Sequence, residues 1–89
     1  MTQETLHLYE VTLQDMYALL KRNQDLAEFM ADKLADDSST ARDSMIKASY
    51  MSECASLTLF NCAGALGIDL AAWALEFKKK YDELKDAPK

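Results

Sequence analysis

LHLYEVTLQDMYALLKRNQDLAEFMADKL, residues 6–34, decides the fold. Leu6, Leu13, Leu20, Ala27 and Leu34 recur every seven residues, and Tyr9, Met16, Asn23 and Met30 recur every seven between them. An a/d pattern held over four heptads is the seam of a helix that packs along another helix. Leu19 and Leu26 precede a positions and Tyr17 follows a d position. The apolar face is therefore wider than a two-stranded coiled coil needs, and a bundle fits it better. The expected oligomer seam is Leu6, Leu13, Met16, Leu20, Asn23 and Met30.

Inside this stretch Lys21-Arg22-Asn23-Gln24-Asp25 is the only polar run. Two readings compete. Asn23 is a polar d residue that sets register and oligomer number within one continuous helix. Alternatively the helix breaks, and Asp25 caps a second segment with Glu28 as its capping-box partner. The heptad phase survives the crossing, which favours continuity over residues 5–35.

Downstream, Asp36-Asp37-Ser38-Ser39-Thr40 is polar and rich in N-cap residues, with Thr40 and Asp43 spaced as a capping box. A second helix is expected over 41–65, folded back on the first. It is rich in small residues and apolar nearly all round from Leu57, so it reads as the central element of the bundle. Leu66-Gly67-Ile68-Asp69 then makes a tight joint. Gly67 supplies a left-handed residue, Asp69 caps a third helix over 70–85, and Ile68 with Trp73 forms a hydrophobic staple. Lys78, Lys79, Lys80 and Lys85 gather toward the negative end of that helix, and Pro88 closes the chain. The fold class is all-α: an antiparallel bundle of two long helices and a shorter C-terminal one, one domain over 1–89.

Composition bounds the function. Of 89 residues 49% are apolar and 28% charged, a globular balance, and the net charge is −5. Residues 1–37 carry eight acidic and three basic side chains and supply the whole imbalance. Phosphate backbones need Lys and Arg, so direct nucleic-acid binding is not expected, whereas a basic protein surface is compatible. The longest apolar run, Leu57 to Ile68, is too short for a membrane span, and no basic-then-apolar leader opens the chain. Cys54 and Cys62, eight apart on one helix, would lie roughly 12 Å apart, too far to bridge. A cytoplasmic chain with two reduced, buried cysteines is expected. Thr5 is the expected cap of helix 1, and His7 lies just outside the seam.

Side chains able to do chemistry are few. Phosphate loops, CxxC, HExxH and GxSxG are absent from the sequence. Asp25, Glu28 and Asp32 share one helical face, and Glu53 lies in the small-residue part of helix 2, in a setting that looks less exposed. If the helices pack, Glu53 meets that face, and carboxylates from facing helices are what hold Mg²⁺ before phosphates. The plainer reading is a solvated acidic face.

The segment Ala65-Leu66-Gly67-Ile68-Asp69-Leu70, followed by a basic helix with Tyr81, resembles the end of the MazG-like all-α nucleoside triphosphate pyrophosphohydrolases. The resemblance covers residues 53–84. It implies a dimeric or tetrameric bundle that binds Mg²⁺ through EExxE and ExxD motifs. Gln24-Asp25-Leu26-Ala27-Glu28 stands where EExxE would be, and Glu53-Cys54-Ala55-Ser56 where ExxD would be. Gln24 and Ser56 replace two carboxylates, which leaves Asp25, Glu28 and Glu53 as the implied metal ligands.

Two functions follow. The favoured one is a non-catalytic, cofactor-free, homo-oligomeric interaction module. It would offer Asp25, Glu28, Asp32, Asp36 and Asp37 to a protein partner, in the manner of small acidic phage-encoded inhibitors of host complexes. The alternative is a Mg²⁺-dependent pyrophosphohydrolase.

Overall fold

A computed structural model describes residues 1–86, with side chains through Leu84; the Lys85 side chain and Pro88 lie outside the described residues. Three helices follow one another: α1 (Gln3–Lys33), α2 (Ser39–Ala65) and α3 (Leu70–Asp86). The described residues contain no strand. The all-α expectation holds, with helix boundaries within about two residues of those read from the sequence. α1 crosses Lys21–Asp25 without a break, so Asn23 sits within one helix of 31 residues. None of the three helices is long and apolar enough to cross a membrane.

Two helix starts differ from expectation. Thr2, not Thr5, caps α1, and its Oγ1 accepts from Thr5 N at 3.1 Å. Ser38, not Thr40, caps α2, and its Oγ accepts from Ala41 N at 3.2 Å. In both cases an earlier hydroxyl residue takes the extended cap conformation, and the later threonine is already helical. The turn between α1 and α2 closes where Asp37 N and Ser38 N both donate to Leu34 O at 3.1 Å.

The α2–α3 joint forms as read. Gly67 has φ 72°, Ile68 N donates to Ala63 O at 2.9 Å, and Gly67 N donates to Gly64 O at 3.2 Å. These two bonds are a Schellman closure, and it needs a left-handed residue at Gly67. Asp69 Oδ1 then accepts from Ala72 N at 3.1 Å and caps α3. Ile68 and Trp73 enter the same apolar cluster, as a staple requires.

That cluster is the main core. Leu13, Leu59, Ala63, Ile68 and Leu70 are buried where the first half of α1, the second half of α2 and the start of α3 meet. Tyr17 is its aromatic hub, with ring centroids 5.6 Å from Phe60, 6.0 Å from Trp73 and 5.9 Å from Phe77. Near the α1–α2 turn only Ala27 and Ala31 are buried, so the hairpin continues there as a close approach of small residues. α2 touches both other helices, as expected of a central element, but so does α1.

The heptad seam divides. Leu13 and Ala27 at a positions are buried, and Leu6, Leu20 and Leu34 are half-buried. The d residues Tyr9, Met16, Asn23 and Met30 are all exposed. The a positions pair with e positions, Tyr17 and Ala31 among them, to make the intramolecular face. The d positions, with Leu19 and Leu26, lie beside that face and remain open to solvent along the seam between α1 and α2. The expected cysteine burial also fails: Cys54 and Cys62 are free and exposed, because α2 is covered on fewer sides than its composition implied.

Candidate functional site

The hairpin has two unlike sides. On one, three clefts follow one another along α1 and α2 and together make a groove. Near the start of α1 it is lined by Tyr9, Thr12, Leu13, Cys62 and Leu66. In the middle Met16, Leu19 and Leu20 face Ala55, Thr58 and Leu59. Toward the turn Asn23, Leu26, Ala27 and Met30 face Met45, Ala48 and Ser52. This pairing of early α1 with late α2 also shows that the two helices are antiparallel.

Among the described residues no charged side chain lines this groove, in a chain that is 28% charged, and none of α3 reaches it. Its two banks differ. α1 contributes a ridge of large flexible side chains, Leu19 and Leu26 being 66% and 52% exposed. α2 contributes a furrow of Ala48, Ser52 and Ala55. The furrow escapes a reading centred on α1, yet a signal for it exists. Met45, Ser52, Leu59 and Leu66 recur every seven residues, and Ala48, Ala55 and Cys62 recur between them, so α2 carries its own heptad.

The other side of the hairpin is polar. Gln24, Glu28, Asp32, Arg42, Ser49 and Glu53 are among the residues lining one cleft. Ser49 Oγ donates to Glu28 Oε1 at 3.2 Å. Glu28 and Glu53 thus reach one cleft, as packing of the helices requires, though Glu53 is exposed rather than sheltered. Asp25 lines neither this cleft nor the adjoining one that contains Gln24, Glu53 and Lys78. It is half-buried toward α3, 3.5 Å from Lys21 Nζ, and it accepts a hydrogen bond from the Tyr81 hydroxyl. That bond, then burial, then the charge of Asp25 raise the Tyr81 pKa above its usual 10.0.

The sequence places Asp25, Glu28 and Asp32 on one face, but helix geometry leaves about 60° between i and i+3, and α3 draws Asp25 aside. Among the described residues, no three His, Cys, Asp or Glu side chains are grouped to hold a metal ion. Asp36 and Asp37 are exposed in the α1–α2 turn, next to Asp32 at the end of α1, so the acidic expectation concentrates at one tip of the molecule. His7 is exposed.

No family model, curated protein or solved structure matches this chain.

Proposed function

We propose that this chain is a non-catalytic α-helical interaction module whose contact surface is the uncharged groove between α1 and α2. One observation carries the reading: a row of uncharged, mostly apolar clefts is left uncovered by the described residues of the third helix. Contiguous apolar patches of more than a few hundred Å² are uncommon on soluble monomers and mark contact sites. An amphipathic helix laid into an apolar groove is a recurrent form of recognition. The acidic tip of Asp32, Asp36 and Asp37, with Glu28 nearby, would steer a basic protein toward this end, where charge acts on encounter rate more than on affinity.

The test titrates the protein with a labelled, uncharged-faced amphipathic helical peptide bearing a leucine stripe. Saturable binding that is lost in Leu19→Glu is expected. Absence of binding at all protein concentrations, including those at which the protein is monomeric, would refute the reading.

A second reading rests on Glu28 and Glu53 reaching one polar cleft, which is what the pyrophosphohydrolase resemblance needs from two of its ligands. Mg²⁺ with a panel of nucleoside triphosphates tests it. Pyrophosphate release abolished by Glu28→Gln would replace the interaction reading with the enzymatic one.

A further inference from the structure

The molecule exposes more surface than its mass warrants. Folded monomers of 10.0 kDa expose about 5,200 Å² by the usual scaling, and this chain exposes 6751 Å². The excess is about 1,500 Å², while a standard protein–protein interface takes about 800 Å² from each partner. The radius of gyration is 15.7 Å against about 12 Å expected for 89 residues, and the extents are 53 × 32 × 15 Å. A flat, under-buried hairpin with one uncharged, mostly apolar face has the shape of one layer of a layered structure, since helices bury their apolar stripes by packing in layers.

We infer that a second copy of this chain occupies the groove, so that two hairpins stack face to face as a symmetric four-helix core; this rests on the groove being a contact surface at all. Charge permits the copy. Each chain carries −5, and the lining of this groove adds no like-charge contact when two copies meet through it. The carboxylates that would attract a basic partner lie at the tip and on the polar side of the hairpin, outside this contact.

Shape selects it. In an isologous interface each surface element meets its complement on the same patch of the other copy. A two-fold axis parallel to the helices lays the ridge of Leu19, Leu26 and Met30 over the furrow of Ala48, Ser52 and Ala55 of the other copy, and the reverse. Every neighbouring pair of helices in that core is antiparallel. Residues keep their level along the axis, so Asn23 faces Ser52 of the second copy, because the two already share a level within one chain. Ser52 Oγ donates to Ala48 O at 3.1 Å, which leaves its lone pairs to accept from the Asn23 amide. The single polar residue at a d position thereby gains a partner and fixes the register. α3 stays on the outer side of each hairpin, clear of the contact.

Cys62 lines the groove and Cys54 does not, so the wild-type protein carries its own reporter pair. Sedimentation from about 1 to 200 μM should show a species of twice the 10.0 kDa chain mass. Over the same range maleimide labelling of Cys62 should slow relative to Cys54. Leu19→Glu places a charge in the contact and should weaken pairing about 100-fold, with the helical circular dichroism retained in the monomer. Leu75→Glu, on α3 and 72% exposed, should leave pairing unchanged. Ala55→Met adds no charge and fills the furrow, so it should weaken pairing even if Leu19→Glu fails to fold.

A 10.0 kDa species at every concentration overturns the inference. If that monomer still binds the helical peptide, the groove remains a contact surface and only its occupant is wrong. A dimer with Cys62 as reactive as Cys54, or one indifferent to Leu19→Glu and Ala55→Met, places the contact elsewhere. Protection of Cys62 only upon adding phosphatidylcholine vesicles would make the occupant a lipid surface and would likewise overturn it.

Discussion

Two glycines three residues apart should respond to the same substitution with opposite signs. Gly64 lies inside α2 with a negative φ, and Gly67 has φ 72° at the helix exit. An added Cβ meets nothing within 4 Å at either position, so steric contact cancels from the comparison and only backbone conformation remains. At Gly64, alanine removes the entropic cost of a helical glycine and should stabilise by about 0.5 kcal/mol, the low end of the range so near a helix terminus. At Gly67, alanine must hold a left-handed conformation that L-residues disfavour by about 1–2 kcal/mol. Part of that is offset by the stiffer unfolded chain, which leaves a net loss of about 1 kcal/mol. For a domain of this size each kcal/mol moves the melting temperature by roughly 4–8 °C. Gly64→Ala should therefore melt about 2–4 °C higher than wild type, and Gly67→Ala about 4–8 °C lower. The assay is thermal unfolding followed by circular dichroism at one fixed protein concentration, because the pairing proposed above would make melting concentration-dependent. Shifts of the same sign, or an unchanged Gly67→Ala, would refute the Schellman joint as the cause of the chain reversal.

Leu70 is the largest fully buried side chain, 1% exposed, and sits where all three helices meet. Leu70→Ala should cost about 2–5 kcal/mol by urea unfolding, and a loss under about 1 kcal/mol would mean the core lies elsewhere. The raised Tyr81 pKa favours the protonated phenol in the folded state. Its stabilisation is present below the unfolded value of 10.0 and is lost as pH rises through the higher folded value. Stability should then fall more steeply above pH 10 in wild type than in Tyr81→Phe; parallel curves would deny the bond to Asp25. Asn23→Leu should raise the melting temperature and broaden the distribution of oligomers in light scattering, because an apolar d position no longer specifies one register. A single unchanged species would count against that role.

The acidic side chains first expected to act together separate for a tertiary reason. Asp25, Glu28 and Asp32 are spaced to share a helix face, but α3 lies along one edge of that face and offers Asp25 the Tyr81 hydroxyl. Glu28 and Glu53 do reach one cleft, since antiparallel pairing of α1 and α2 sets them at the same level. No spacing in the chain reveals where a 17-residue helix following a tight joint will lie. That depends on which aromatics meet Tyr17, and Trp73 and Phe77 do.

Local chemistry made the helices legible from the sequence alone. Capping hydroxyls and carboxylates, a lone glycine at the joint and seven-residue periodicity act over one or two turns. They set three helices, a continuous α1 and the exit at Gly67. Only the folded arrangement decided which apolar stripe goes inside. A heptad states that two stripes want cover but not by what, and Leu13 and Met16 are equally good candidates for a core. Packing α2 against the a and e positions buried the first and left the second open. One hairpin cannot surround α1, so the exposed d stripe follows from the tertiary pairing rather than from any residue within it.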